Sequence, residues 1–168
     1  MWMGEIKTYA NKGADDYNAI FLGAWKNVLQ GYRDAEIRLL SERDLQSHLF
    51  SESLKLMRAK NFPTPYKVYA ERSILSRHKT DLVLGEDDIA VEMKLEPDYP
   101  CVSKPVAFRE AVEKDIKSLD EYIKRGVKHA HFVMIDEDGD HARNPRIKEK
   151  WETIHSRGKR CYCIHIQR

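Results

Sequence analysis

The segment from Thr80 to Leu95 constrains the fold more strongly than any other part of the chain. Two runs of mainly apolar residues, Thr80–Leu84 and Ile89–Leu95, flank the sequence Gly85-Glu86-Asp87-Asp88. Such runs, bounded by a short polar connection that contains glycine, are typical of two strands in an antiparallel hairpin. The sequence therefore predicts a β-hairpin whose side chains alternate between the two faces of a sheet.

The expected register of this hairpin gathers three polar side chains on one face. If the turn centres between Glu86 and Asp87, Asp81 lies opposite Glu92, and directly opposed residues have Cβ atoms about 4.5–5.5 Å apart. Lys94 then follows Glu92 on the same face. The opposite face is apolar and comprises Leu82, Leu84, Ile89, Val91, Met93 and Leu95. Charged groups gathered in this way are costly to desolvate unless they bind something.

Two carboxylates and an ammonium in this arrangement suggest a site for a hard cation such as Mg²⁺. Mg²⁺ takes oxygen ligands and retains waters for a substrate and a nucleophile. In such a site the metal lowers the pKa of a bound water, while an adjacent lysine orients or activates that water. A bare Glu-x-Lys pattern is not specific, since Glu5 and Lys7 repeat it without this context. A structural ion pair or a solvated face is the alternative interpretation.

The remaining periodicity predicts a mixed α/β fold. Apolar residues at helical spacing indicate one helix over 16–32 and a second that starts near Ser41, where Ser41 and Asp44 resemble a capping box, and stops at Asn61–Pro65. Further elements are a strand over 66–70, a helix over about 107–125, a strand over 130–135, a helix over 145 to about 156 and a strand over 161–166. The β-α-β-α-β second half favours parallel strands covered by helices, beside the antiparallel hairpin.

The length of 168 residues fits a single domain. We expect a helical extension at residues 1–34, a core at 41–135, and a C-terminal helix and strand at 136–168. The amphipathic helix of the extension either packs on the domain or forms a dimer contact. A homodimer is therefore one of the expected alternatives.

Composition excludes several classes of protein. An apolar fraction of 42% with a charged fraction of 33% is typical of a globular chain and not of a disordered one. No apolar run approaches the roughly 18–20 residues of a transmembrane helix, and the first residues lack a signal-peptide pattern. Three cysteines are an odd number, which suits a reducing compartment. We therefore expect a cytoplasmic protein without a membrane partner.

Charged residues are unevenly distributed, although the net charge is only +2. A basic stretch precedes the hairpin, and a compact acidic stretch runs from Glu86 to Asp98. The candidate nucleic-acid-binding residues are Lys55, Arg58, Lys60, Lys67, Arg72, Arg77 and Lys79, with Lys114 and Lys117 on the later helix. Contacts of this kind to phosphates are largely independent of sequence. The alternative is two solvated surfaces, and for the later helix a solvated face that also bears Asp115 and Glu121.

The hairpin residues and the element order resemble the PD-(D/E)XK nuclease superfamily, which has the restriction-endonuclease-like fold. Its motif is an acid on one strand and Glu-x-Lys on the next, and Asp81, Glu92 and Lys94 match it. The resemblance covers about residues 41–135 and implies an α-β-β-β-α-β core with a mixed central sheet. It also implies a Mg²⁺-dependent nuclease, foremost an endonuclease, in which Mn²⁺ can substitute. DNA is the substrate that the family implies first, with RNA as the alternative.

The resemblance further implies which groups hold the metal. These are Asp81, Glu92, the backbone carbonyl of Met93, and Glu42 near the start of the helix that precedes the strands. Glu36, Asp44 and Glu52 are less favoured substitutes for Glu42. The chain departs from the family pattern in two places. Thr80 replaces a proline, and Ser118 occupies the glutamine position of a Gln-x-x-x-Tyr pattern that ends at Tyr122.

Two other functions and several weaker motifs compete with this interpretation. The rival functions are a non-catalytic nucleic-acid-binding module on the same fold and a structural or assembly protein that uses its aromatic N-terminal helix. Cys161, Cys163 and His165 share a strand face but lack the spacing of structural zinc ligands, which favours packing. The 136–140 segment lacks the closing glutamate of a calcium loop. Neither a Gly-x-Ser-x-Gly motif nor a glycine-rich phosphate loop is present.

Overall fold

Three helices and six strands make up the described part of the chain. The computed structural model describes residues 11–96 and 109–136, together with the backbone of strands at 152–156 and 159–167. The elements are α1 (Ala14–Arg33), α2 (Glu42–Ala59), β1 (Val68–Arg72), β2 (Thr80–Leu84), β3 (Ile89–Glu96), α3 (Arg109–Lys124), β4 (His129–Asp136), β5 (Glu152–Ser156) and β6 (Lys159–Gln167). The predicted mixed α/β class is confirmed. The described helices lack the combination of length and apolar character that crossing a membrane requires.

The aromatic stripe of α1 packs inside the chain. Its buried residues are Tyr17, Ile20, Phe21, Ala24, Trp25, Val28, Leu29 and Tyr32. The backbone N–H of Gly13 donates a hydrogen bond to the Asp16 carboxylate at 3.0 Å, which stabilises the start of the helix. α1 packs mainly against α2 and also contacts β2 and β3. The stripe that the sequence offers as a dimer contact is therefore covered by the chain itself.

α2 begins where its capping box is predicted. The Ser41 hydroxyl accepts a hydrogen bond from the backbone N–H of Asp44 at 3.2 Å, and the Asp44 carboxylate accepts one from the backbone N–H of Ser41 at 2.9 Å. This reciprocal pair satisfies two N–H groups that have no partner within the helix. It makes Glu42 the first helical residue, and α2 ends at Ala59, just before the proline-containing segment predicted to stop it.

The strands form one mixed sheet in the order β1-β2-β3-β4-β6-β5. β3 and β4 are parallel, with α3 between them in the chain, and the other neighbouring pairs are antiparallel. The β2–β3 hairpin has the predicted register, with Leu82 opposite Val91 and Leu84 opposite Ile89. β1 starts later than predicted, at Val68, because its pairing with β2 begins there opposite Leu84.

Helices cover both faces of the sheet. α1 and α2 pack on the face formed by Leu82, Leu84, Ile89, Val91, Met93 and Leu95. α3 packs on the other face around a second apolar cluster that includes Phe132. The apolar face of the hairpin is therefore the predicted one. Asp81, Glu92 and Lys94 belong to the α3 side of the sheet.

The C-terminal segment departs from the prediction. Residues 152–156, expected as the end of a helix, form β5, which pairs antiparallel with β6. The predicted C-terminal helix is therefore wrong over 152–156, and its start at 145–151 lies outside the described residues. The β-branched pair Thr153-Ile154 favours an extended backbone, to which β6 supplies hydrogen-bond partners. β6 is also antiparallel to β4, so among the described strands the parallel pairing is confined to β3 and β4. The side chains of Cys161, Cys163 and His165, and the 137–140 segment, also lie outside the described residues.

Candidate metal centre

Asp81 is the second residue of β2, and the facing strand holds its side chain. The backbone N–H of Met93 donates a hydrogen bond to Asp81 Oδ2 at 2.8 Å. The side-chain amide of Gln46 on α2 donates to the Asp81 backbone carbonyl at 2.7 Å. Burial raises the pKa of the Asp81 carboxyl, against the opposing effects of the Met93 N–H and the Lys94 ammonium. The carboxylate is thus fixed in position, and its charged form is less stable than that of a solvated carboxylate.

The same register positions Glu92 on β3, where its side chain is buried. Its side chain is 2% exposed, and its Oε1 accepts a hydrogen bond from Tyr122 Oη and lies 2.8 Å from His78 Nε2. Burial raises the pKa of Glu92 to about 9, and the charge of Asp81 adds to that effect. Without a cation, Glu92 is therefore protonated at neutral pH. A divalent cation would reverse this preference, because it stabilises the charged form.

The Lys94 ammonium lies among acceptors. Its Nζ is 2.8 Å from Asp115 Oδ2, 3.2 Å from the Met93 carbonyl oxygen and 3.3 Å from Glu42 Oε1. Burial alone would lower the pKa of Lys94, but the hydrogen bond and charge of Asp115, with the charges of Glu42 and Asp81, raise it above its usual value. The side chain therefore stays protonated and acts as a fixed positive charge.

α2 brings Glu42 to the same place from the opposite layer of the fold. Glu42 is the first residue of the helix, and its carboxylate forms an ion pair with Lys94. Burial raises the pKa of Glu42, and the Lys94 ammonium opposes that rise. The acids considered as substitutes are occupied or placed elsewhere. Asp44 takes part in the capping of α2, Glu52 forms an ion pair within α2, and Glu36 is exposed.

Asp81 and Glu42 open onto a cleft of about 250 Å³. The cleft is lined by Glu42, Arg43, Gln46, Glu71, Asp81 and Met93. Three of the four groups predicted as metal ligands therefore belong to residues around one opening. Glu92 is not part of this lining and instead contacts α3 through Tyr122. Carboxylate and carbonyl oxygens are the donor types that Mg²⁺ prefers, so the residues present fit such an ion.

Tyr122 and Asp115 belong to the polar cluster, although neither is among the residues predicted for the site. Tyr122 Oη donates to Glu92 and accepts a hydrogen bond from Thr80 Oγ1 at 2.8 Å. Asp115, expected on a solvated helix face, is only 7% exposed, so that expectation is wrong. Both residues share a buried stripe of α3 with Val112 and Leu119. This spacing of three and four residues is the signal that could have identified them.

His78 also reaches the cluster, and its sequence context carries no comparable signal. It lies in the connection between β1 and β2, where no periodicity predicts the direction of a side chain. Its Nε2 nevertheless points at Glu92, and its ring lies 6.4 Å from the ring of Tyr122, measured between centroids. The connection therefore contributes a titratable group that only the three-dimensional structure reveals.

The predicted nucleic-acid-binding residues are dispersed, and four of them form ion pairs. The pairs are Lys55–Glu52 (2.6 Å), Lys67–Glu86 (2.9 Å), Arg72–Asp87 (2.8 Å) and Lys79–Glu71 (3.1 Å). Arg58, Lys60, Arg77, Lys114 and Lys117 are exposed. At 1.5 Å per residue, Arg58 lies roughly 24 Å along α2 from Glu42. The residues that line the cleft include none of the nine.

Comparison of the chain with protein-family models, with curated proteins and with solved structures finds no significant match in any of the three. The resemblance to the PD-(D/E)XK superfamily therefore depends on Asp81, Glu92 and Lys94 and on the order of the elements. The assignment of a function depends likewise on the geometry of the cleft.

Proposed function

We propose that this chain is a divalent-metal-dependent nuclease with a restriction-endonuclease-like fold, and that it hydrolyses phosphodiester bonds in DNA. One observation carries the proposal. Asp81, Glu42 and Met93 line one cleft, and the ammonium of Lys94 contacts two of these residues through Glu42 Oε1 and the Met93 carbonyl. Oxygen donors beside a fixed positive charge suit a divalent cation together with a phosphate group.

The chain topology supports the proposed fold. From α2 to β4 the order is α-β-β-β-α-β, with β2 and β3 antiparallel and β3 and β4 parallel. This is the order that the family resemblance implies, and it brings the acid of β2 beside the Glu-x-Lys of β3. The two C-terminal strands extend the sheet beyond β4.

The electrostatics of the cleft favour a bound cation. The pKa values of Asp81 and Glu42 are both raised, and burial is the main cause in each case. A cation would offset this cost, and Mg²⁺ suits ligands that are all oxygen, with Mn²⁺ as a substitute. When bound, the metal supplies Lewis acidity that lowers the pKa of a water and screens charge on the phosphate.

Lys94 acts as a hydrogen-bond donor and not as a base, since its raised pKa keeps the ammonium protonated. Its contacts with Asp115, Glu42 and the Met93 carbonyl hold Nζ in place. From there it orients the attacking water and offsets negative charge on the phosphoryl oxygens. A bond forms between the water oxygen and phosphorus, one ester P–O bond breaks, and one proton of the water ends on the leaving oxygen. The products are a phosphate monoester and a hydroxyl group.

Arg43 provides a further phosphate-binding group at the cleft. It follows Glu42 on α2, is exposed and lines the same opening. A guanidinium can bind two oxygens of one phosphate at once. We therefore assign Arg43 to a non-reacting phosphate beside the scissile bond.

Incubation of the full chain with labelled nucleic acids tests the proposal. Duplex, single-stranded, flap and junction forms of DNA and RNA are compared in Mg²⁺, in Mn²⁺ and in EDTA. We expect cleavage with either metal and none in EDTA. Asp81→Asn and Lys94→Met should each lower the rate by at least about 100-fold, because each removes a group that acts at the reacting phosphate. The matched controls Asp120→Asn and Lys26→Met alter exposed residues outside the cleft and should leave the rate unchanged.

Other outcomes would assign other functions. Binding of nucleic acid by well-folded protein, without cleavage in either metal, would replace the nuclease with a non-catalytic binding module. Preferential cleavage of RNA would retain the site and change the substrate. An assembly role for α1 has less support, because its aromatic stripe is buried within the chain.

A further inference from the structure

A second group of metal-binding side chains lies beside the cleft but not on its lining. His78 Nε2, one carboxylate oxygen of Glu92 and one of Asp115 all lie within 4.8 Å of one another. The three residues come from the β1–β2 connection, from β3 and from α3. Their convergence is therefore a product of the fold and not of neighbouring positions in one element.

The three side chains are largely buried, and acidic side chains outnumber basic ones around them. The side chains of His78, Glu92 and Asp115 are 25%, 2% and 9% exposed. Glu92 contacts His78 and Tyr122, and Asp115 lies 2.8 Å from Lys94. The same ammonium also interacts with the carboxyl groups of Glu42 and Asp81. Four acidic groups thus share one lysine, and burial of Glu92 and Asp115 among them favours an added cation.

We propose that His78, Glu92 and Asp115 form a second divalent-cation site, which prefers a transition-metal ion such as Mn²⁺ to Mg²⁺. An imidazole nitrogen is a good ligand for first-row transition metals, whereas Mg²⁺ binds oxygen almost exclusively. One nitrogen and two carboxylates leave coordination positions open for water or a substrate oxygen. Asp115 has two oxygens, so that one can bind the ion while the other keeps its contact with Lys94.

A role of this ion in cleavage rests on the proposed nuclease function. Glu92 contacts His78 at 2.8 Å, and the hairpin register brings it beside Asp81, whose charge raises the pKa of Glu92. It can therefore belong to both sites, with Asp81 and Glu42 around one ion and His78 and Asp115 around the other. Paired metal ions that share a ligand are a common means of stabilising the attacking and leaving oxygens of a phosphoryl group.

Electron spin-echo envelope modulation of Mn²⁺ bound to the full chain tests the site directly. Coordination by imidazole couples the nitrogen nucleus to the Mn²⁺ electron spin, and we expect this modulation in the wild-type protein. His78→Gln should abolish it and reduce the calorimetric stoichiometry from two Mn²⁺ per chain to one. The control His48→Gln changes a histidine of α2 outside the group and should leave both unchanged. A tenfold excess of Mg²⁺ should leave the nitrogen modulation in place, and its loss would overturn the stated preference.

Asp115→Asn gives a second variant that keeps the size of the side chain. It should also lower the Mn²⁺ stoichiometry to one, with circular dichroism showing a folded chain. Absence of nitrogen modulation from the wild type, or its persistence in His78→Gln, would overturn the site.

The two proposals fail separately. Asp81→Asn should lower the cleavage rate in Mg²⁺ by at least about 100-fold and retain the nitrogen modulation in Mn²⁺. A His78-dependent signal without any cleavage would support the second cation site and refute the nuclease. Cleavage that depends on Asp81, in a protein without the nitrogen signal, would do the reverse.

Discussion

Glu92→Gln should reduce the pH dependence of stability in the metal-free protein between pH 5 and pH 8. Burial, with the charge of Asp81, raises the pKa of Glu92 from 4.5 to about 9 in the folded chain. Between these values the folded state retains a proton that the unfolded state has lost. The stability contributed by this group is therefore complete below about pH 4.5 and declines as the pH rises toward 9.

The size of the effect follows from the number of protons involved. One retained proton changes the free energy of unfolding by ~1.4 kcal/mol for each pH unit. Over three units the loss from Glu92 is therefore about 4 kcal/mol. Its side chain is 2% exposed, so solvent screens the effect little. The pKa values of Asp81 and Glu42 are also raised, chiefly by burial, and their titration adds losses of the same sign.

Urea unfolding in EDTA, followed by circular dichroism at intervals from pH 5 to pH 8, measures this loss. The wild type should lose about 4 kcal/mol more than Glu92→Gln over that range, whereas Glu110→Gln, an exposed glutamate of α3, should behave like the wild type. Added Mg²⁺ should stabilise the wild type increasingly as the pH rises, because the ion competes with protons for carboxylates. Parallel pH profiles for the wild type and Glu92→Gln in EDTA would refute the reasoning.

Three further substitutions test the groups that position the site. Tyr122→Phe should lower the free energy of unfolding by about 1–3 kcal/mol, because it removes the hydroxyl that donates to buried Glu92; an unchanged melting temperature in EDTA would contradict this. Gly85→Ala should cost more than about 1 kcal/mol in urea unfolding, since Gly85 has φ +73° and an added Cβ would lie 2.5 Å from Asp88. A neutral result there would mean that the turn can adopt another conformation. Ser41→Ala should cost about 1 kcal/mol in the same assay, through loss of the α2 cap, and unaltered stability would show that the cap contributes nothing.

The hairpin register was predictable because two independent local constraints agree. Alternation along each strand requires the apolar residues to share one face, and a shift by one residue would turn that face to the other side. The turn carries φ values of +73° at Gly85 and +71° at Asp87, which are conformations that glycine and aspartate tolerate better than most residues. The start of α2 was predictable for a similar reason, since Ser41 and Asp44 bind each other across only three residues of sequence.

The helix predicted over 145–156 failed at its end because local pattern does not determine pairing partners. Residues 152–156 form β5 by hydrogen bonding to β6, whose residues come later in the chain. A short segment of mixed apolar and polar residues is compatible with either a helix or a strand until its pairing strand is known. The burial of Asp115 was missed for a related reason. An acid on a helix is expected in solvent, and the compensating ammonium of Lys94 comes from a distant strand.

The layer that covers each carboxylate explains why two residues predicted as equivalent ligands have different surroundings. The register brings Asp81 and Glu92 together, but it does not specify which helix lies over each of them. α2 contributes Glu42 and Gln46 around Asp81 and leaves a cleft there, whereas α3 covers Glu92 with Tyr122. A motif read along two strands can therefore locate the acids, while their exposure depends on which helix residues lie near each of them. It follows that substitutions in α2 should act mainly on access to the cleft, and substitutions in α3 mainly on the protonation of Glu92.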